Sequence, residues 1–197
     1  MPLPPPITLL GNPVLRARAA EIDDPGCTEV ATLSAHLHAG MFEQNLVGLA
    51  APQIGVSLRV FVMQSRKGPR YPNAPEIPPI TVINPEVISR EETLLRGIEG
   101  CGSIPGFRGL VSRPASIQAR WLDLEGARVE MELTDLAARV FLHELDHLDG
   151  ILFLDRLASL DDLVIEAELD RLLERLERPM PESDALGYPI PPRKERG

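Results

Sequence analysis

The chain has 197 residues, 44% of them hydrophobic and 25% charged, which fits one folded domain and excludes both a fibrous repeat and wholesale disorder. Lys and Arg number 20 against 29 Asp and Glu, a net charge of -9, so phosphate backbones and anionic lipid find no general attraction and neither a nucleic-acid nor a membrane partner is expected. No apolar run reaches the roughly 20 residues that cross a bilayer, and Met1–Pro6 lacks a basic start followed by an apolar stretch, so the expected location is the cytoplasm.

The opening Met1-Pro-Leu-Pro-Pro-Pro6 cannot be helical, because proline has no amide donor and biases its predecessor toward extended geometry; it is expected to wrap the surface. From Thr28 to Gln44, Val30, Leu33, Leu37, Met41 and Phe42 recur at helical spacing and predict an amphipathic helix, with Thr28 or Asp24 as cap. Leu58–Met63, Thr81–Ile83 and Thr93–Arg96 are short, apolar or β-branched and bounded by Gly, Pro or Asn, which predicts strands. Alternation in Ser116–Asp123, a turn at Leu124–Gly126 and alternation again in Ala127–Leu133 predict a β-hairpin.

A second helix is predicted from near Thr134 to about Leu148, with Leu136, Val140, His143 and His147 on one stripe and Gly150 ending it. A third is predicted to start at Ser159 as cap and to carry Leu163, Ile165, Ala167, Leu169, Leu172, Leu173 and Leu176 over the sheet. Prolines, 20 in all, cluster in Pro2–Pro6, in Pro69–Pro79 and beyond Pro179, where few large apolar groups remain, so residues 179–197 are expected to form a mobile tail behind a single domain spanning 1–178.

The strongest chemical signal is His143-Glu-Leu-Asp-His147. Helical positions i and i+4 lie about 40° apart around the axis, so both imidazoles leave one face and can reach one ion, while Glu144 is directed to the side, where it can act on water as a general base without being a ligand. A catalytic site then needs a third protein ligand and an open fourth position. Cys101, between Gly100 and Gly102 in Glu99-Gly-Cys-Gly-Ser103, is the candidate, although taken alone it reads better, at about two to one, as a small core thiol. Cys27 has no histidine or second thiol at ligand spacing and reads as structural, and with two cysteines one disulfide is the limit. Gly48-Leu-Ala-Ala-Pro-Gln-Ile-Gly55 packs small residues around one amide, which suggests Gln53 pointing into a cleft or, on equal terms, a tight helix-to-strand turn. The expected fold class is α+β, with antiparallel or mixed sheets packed around a central metal-binding helix and one further helix near each end.

In this order, Gly48-Leu-Ala-Ala-Pro-Gln53, Glu99-Gly-Cys-Gly-Ser103 and His143-Glu-Leu-Asp-His147-Leu-Asp-Gly150 resemble the three signature motifs of the peptide deformylases. Leu10–Arg16 and Ile104–Arg108 are similar to the family's opening segment and to the stretch after its cysteine, so the likeness runs from about residue 7 to 175. The resemblance implies a metal-dependent hydrolase that releases formate from N-formylmethionyl ends of new proteins, with one divalent ion, Fe2+ by resemblance and Zn2+, Ni2+ or Co2+ also suited, held by Cys101, His143 and His147 with water in the fourth place. It implies Glu144 as the proton carrier, and Gln53 with the amide of Gly102 as donors to the tetrahedral oxyanion. It places an extended peptide beside Val47 and Gly48 as an added strand, Arg108 near a substrate carbonyl, and Val47, Leu136 and Val140 around the first side chain; a transient ribosome contact is part of the same expectation.

Three positions depart from the family pattern. Leu46 stands where glycine is usual, Gly102 where leucine is usual, and Leu142 where a glutamine commonly precedes the third motif. Lost packing at Gly102 predicts a looser oxyanion site and slower turnover. Two other readings stay open on sequence: a zinc peptidase, since His-Glu-x-x-His serves those too, and a deformylase-like binder of peptide ends with weak or no turnover. His36 and His38 are not expected to form a second metal site, Asp146 is expected to orient a ligand or pair with an arginine, and Glu99, Asp155, Trp121 and Tyr188 are read as structural or surface residues.

Overall fold

Three helices and two antiparallel sheets make up the fold, in a computed structural model that describes residues 6–67 and 74–176. The tail expected at 179–197, Tyr188 within it, and the first five residues lie outside the described residues. Helix α1 spans Thr28–Glu43 and helix α2 spans Asp135–Leu148. Strands β1 (Gly48–Ala50), β2 (Val60–Ser65), β3 (Ile77–Arg90), β6 (Ser116–Leu122) and β7 (Arg128–Thr134) form one sheet in the order β1-β2-β3-β6-β7. Strands β4 (Leu94–Cys101), β5 (Ile104–Pro114) and β8 (Leu163–Ile165) form the other in the order β4-β5-β8, and every named strand pair is antiparallel.

Strand β2 is apolar and nearly all buried because helices cover both of its faces. Alternation sends Val60 and Val62 toward α1, where they meet Leu37 and Met41, and sends Phe61 and Met63 toward α2, where they meet Phe141. Phe141 is wedged edge-on against Phe61 and tilted against Trp121, which the sequence reading left as packing or surface. Helix α2 runs between the two sheets, and every residue except Asp135 and His143 is buried, so the single apolar stripe read from sequence understates its burial. Arg139, His143 and Asp146 tolerate that position because ionic partners reach them from β4 and β5.

The hairpin expected at 116–133 is present as β6 and β7, paired from Ser116↔Thr134 to Leu122↔Arg128. Asp123 closes its turn by accepting from the amides of Glu125 and Ala127, and Gly126 takes a φ of 76°. The strand expected at Thr81–Ile83 is the middle of the much longer β3, which bends at Asn84, where φ is 48° and the side chain exchanges two hydrogen bonds with the backbone of Ile22.

The third helix departs from expectation. Ser159 does cap a turn, accepting from the Asp161 amide, but Leu160–Asp162 is a 3-10 turn, Leu163–Ile165 is β8 and Glu166–Glu168 is another 3-10 turn; helix α3 begins only at Leu169 and runs to Leu176. The β-branched pair Val164-Ile165 fits an edge strand, and β5 offers backbone partners at Phe107, Arg108 and Gly109, so pairing overrides a helical period. What remains of the stripe does cover the sheet: Leu172 is fully buried against Ile98 and Leu110. No helix among the described residues is long and apolar enough to cross a membrane.

Candidate active site

Between the sheets, α2 brings His143 and His147 to the end of β4, which carries Cys101. The ligating atoms of Cys101, His143 and His147 all lie within 4.8 Å of one another, with Cys101 Sγ 3.2 Å from His147 Nε2. Both histidines come from one face of α2 and the rings meet edge to face at 5.1 Å between centroids. Among the described residues this is the one His, Cys, Asp and Glu group spaced for a metal ion; His36 and His38 take no part in one. Cys101 and Cys27 are both free thiols.

Partners fix what each ring can do. His143 Nδ1 lies 2.9 Å from Glu99 Oε2, so a proton on Nδ1 is donated to that carboxylate and Nε2 is the nitrogen that could hold an ion. Burial by itself lowers the pKa of His143, but hydrogen bonds to Cys101 and Glu99 and the negative charge of Glu99 overcome it and raise it well above the ordinary range. A cation at Nε2 would take the place of the second ring proton and leave the Nδ1 proton on Glu99. Burial, with His143 and Arg113 nearby, drives the pKa of His147 the other way, well below the ordinary range, so this ring is held neutral, the form that ligates. Buried and without a partner among the described residues, His147 Nδ1 is one of two orphaned atoms here.

The other is Glu144 Oε2. Burial pushes the Glu144 carboxyl up to about 7, a value suited to taking and returning a proton near neutrality. The carboxylate lies directly against Gly48: a Cβ on that glycine would fall 2.4 Å from Glu144 Oε1. Gln53 is buried, its Oε1 accepting from the Ala50 amide at 2.8 Å and its Nε2 turned to Cys101 Sγ at 3.4 Å and Ser103 Oγ at 3.3 Å. Gly102 forms the β4–β5 turn with Ser103, beside the cluster.

A cleft of about 220 Å³ opens at this point, its apolar lining made by Leu46, Val47, Ile98, Leu136 and Val140. Strand β1 is an edge strand of its sheet, so the side of Gly48–Ala50 away from β2 has no neighbour in that sheet. Arg108 is not among the cleft's lining residues. Its guanidinium folds over Gly100, donates to the Phe107 carbonyl at 2.8 Å and pairs with Glu166 at 2.7 Å. A larger cavity, about 690 Å³, lies under β3, β6 and β7 beside Trp121 and Met131, and it brings together no metal-ligating cluster among the described residues.

Behind the histidines is a buried ionic network that local sequence signals did not reveal. Glu99 accepts from both Arg113 and Arg139, Arg113 also donates to Asp146 at 2.6 Å, and Arg156 donates to both oxygens of Asp146. Asp146 therefore pairs with arginines rather than with a histidine. Glu99, read as structural from sequence, touches His143 directly; its place two residues before Cys101 on a strand was the available signal. Arg113 and Arg139 carried none. Asp155 pairs with Arg16 and accepts from the Leu152 amide, away from the cluster.

A cysteine sulfur and two imidazoles converging in a buried pocket are a soft, three-donor set that leaves a fourth position, the pattern of a catalytic transition-metal site. A sequence model of the family described as polypeptide deformylase matches residues 4–162. Peptide deformylase 2 of Nostoc sp. is 42% identical over 170 residues, covering 86% of this chain and 95% of that protein, and peptide deformylase 2 of Shewanella oneidensis is 42% identical over 153 residues, covering 78% and 84%. Among solved structures, a class I type b peptide deformylase from Acinetobacter baumannii with Met-Ala-Ser bound superposes with a TM-score of 0.76 at 38% identity, covering 80% of this chain and all of that one; the Thermotoga maritima peptide deformylase gives 0.70 at 36%, covering 78% and 97%.

Proposed function

This chain belongs to the peptide deformylase family, and we infer from that membership, together with the site, that it hydrolyses the N-formyl group from N-formylmethionyl ends of newly made proteins. The observation that carries the reading is the Cys101, His143 and His147 cluster with the unpartnered Glu144 carboxylate beside it. Water adds to the formyl carbon, the C–N bond breaks, and formate leaves with a free peptide amine. The residues fit one divalent ion, with Cys101, His143 and His147 as its ligands; ferrous iron is the ion favoured by family resemblance, and zinc, nickel or cobalt suit the same donors. Such an ion would supply Lewis acidity, making water a better nucleophile near neutrality and polarising the formyl oxygen.

Glu144 takes a proton from the attacking water and passes it to the departing amine, its buried carboxyl matched to that exchange. The Gly102 amide and Gln53 Nε2 donate to the oxyanion that forms on the formyl oxygen. Glu99 keeps the Nδ1 proton of His143 and so keeps its Nε2 directed at the ion. The substrate backbone extends β1 as an added strand at Val47 and Gly48, and its first side chain enters the cleft among Val47, Leu136 and Val140. Arg108 reaches a substrate carbonyl from the rim once it exchanges its Phe107 and Glu166 partners for that contact. The substrate is a nascent chain met in the cytoplasm, in transient contact with the ribosome.

Formate detection on iron-loaded protein under anaerobic conditions tests the reading. Formyl-Met peptides should release formate while acetylated and unblocked peptides remain intact. Cleavage of an internal peptide bond would indicate a peptidase instead, and absence of formate with the ion bound would indicate a peptide-end binder.

A further inference from the structure

Two glycines of the same segment are glycine for different reasons. At Gly100 a Cβ would lie 2.7 Å from Arg108, too close for any side chain unless that arginine moved. At Gly102 neither of the usual reasons applies. Its φ is not in the left-handed region, which holds Gly11, Gly55, Gly106, Gly126 and Gly150, and no backbone crowds it. A Cβ there would have two neighbours within 4 Å, both ends of side chains: Leu46 Cδ1 at 3.4 Å and Ile7 Cγ2 at 3.8 Å. A side chain at 102 would thus start in van der Waals contact with the end of Leu46.

Leu46 is held in that place. Its amide donates to the Met41 carbonyl at 2.9 Å, its own carbonyl accepts from Gln64 Nε2 at 3.2 Å, and the preceding Asn45 turns the chain with a φ of 52°. Both Leu46 and Gly102 line the cleft, and they are the positions at which this sequence has leucine for the family's usual glycine and glycine for its usual leucine. We propose that Leu46 and Gly102 form one complementary pair, in which the Leu46 side chain takes the place of a side chain at 102, closes the cleft wall over the Gly102 amide, and so positions that donor and sets the fit of the peptide. The inference rests on the deformylase reading and deepens it. It also replaces the slower turnover expected from Gly102 considered alone, because the packing missing at 102 is supplied from 46.

A double-mutant cycle tests it, with kcat and KM measured for formate release from a formyl-Met tripeptide and with bound metal and thermal midpoint recorded for each protein. Leu46→Gly should lower kcat about tenfold with the ion retained, because the amide loses its cover. Gly102→Leu should raise KM about tenfold, because two leucines compete for one space. The double variant Leu46→Gly/Gly102→Leu should recover to within about threefold of the parent in kcat/KM, a coupling of about 30-fold against the roughly 100-fold loss that independent effects would give. Losses that simply multiply in the double variant would overturn the proposal. Should Leu46→Gly fail to fold, Leu46→Ala with Gly102→Val makes the same cycle with smaller changes. If the parent protein releases no formate, the functional reading fails and the pair is judged on thermal midpoints alone: the double variant standing at least about 2 °C above the sum of the single effects sustains it, and additive midpoints overturn it.

Discussion

His143 Nδ1 and Glu99 Oε2 meet at 2.9 Å, and Glu99 lies two residues before Cys101 on β4, so one strand carries both a candidate ligand and the group that orients another. The same carboxylate is the shared acceptor for Arg113 and Arg139, all of them buried. Glu99→Gln keeps the shape and removes the charge. It should weaken metal affinity about 10–100-fold, read by competition with a chelator, because the Nδ1 proton of His143 loses its strong acceptor. It should also destabilise the fold by about 3–5 kcal/mol in denaturant titration, because two buried guanidinium groups lose a counter-ion. An unchanged chelator midpoint would remove Glu99 from the support of the site.

Gly48 touches Glu144 more closely than any side chain could. A Cβ would lie 2.4 Å from Oε1 and 2.8 Å from both Cδ and Cγ of a residue that is itself buried and cannot swing into solvent. Gly48→Ala should therefore displace the carboxylate by about 1 Å and reduce kcat about 100-fold, with metal content unchanged. Turnover near the parent level in a well-folded Gly48→Ala protein would mean that the position of Glu144 does not govern the reaction.

The parts of this molecule legible from sequence are those in which one short segment carries its own periodicity. Helix α2 and the β6–β7 hairpin are of this kind, and so is the His143/His147 pair, because a single turn of helix sets its geometry. Cys101 could be added because flanking glycines marked an unusual strand end. Residues 159–168 depart from the expected helix because Leu163 and Ile165, placed on its stripe, serve a short strand equally well, and only a free edge on β5 decides between them. Arg113 and Arg139 were invisible for a related reason: a buried arginine looks like a surface one until the acid it meets, Glu99, arrives from another strand. Leu46 and Gly102, which line one cleft, are 56 positions apart by number, beyond the reach of any local pattern.

Glu144 and Cys101 should separate chemistry from ligation. Glu144→Ala should keep its ion and lose about 100- to 10,000-fold in kcat, since it removes the proton carrier and touches no ligand. Cys101→Ser should lose most of the bound ion, since a hydroxyl is a much poorer partner than a thiolate for these metals. Metal analysis after gel filtration, alongside turnover, distinguishes the two; loss of metal in Glu144→Ala would contradict its assignment as a non-ligand.

Asp155 ties the loop after α2 to Arg16 near the start of the chain. Burial alone would raise its pKa, but the Arg16 hydrogen bond, the Leu152 amide and the charges of Arg16 and Arg156 outweigh burial and hold it below the ordinary 3.8. A carboxyl whose folded pKa is depressed contributes stability that is fully present above its unfolded value and disappears as the pH falls through the folded one. Both side chains are close to half exposed, at 45% for Arg16 and 42% for Asp155, so solvent screening limits the contribution to at most about 1 kcal/mol. Asp155→Asn should therefore be less stable than the parent by up to that amount at pH 7, the gap should narrow once the pH drops below about 4, and 1 M salt should shrink it at neutral pH. Urea midpoints across pH 3–7 measure the gap directly, and one that stayed constant down to pH 3 would show that the aspartate charge is not what binds the two segments.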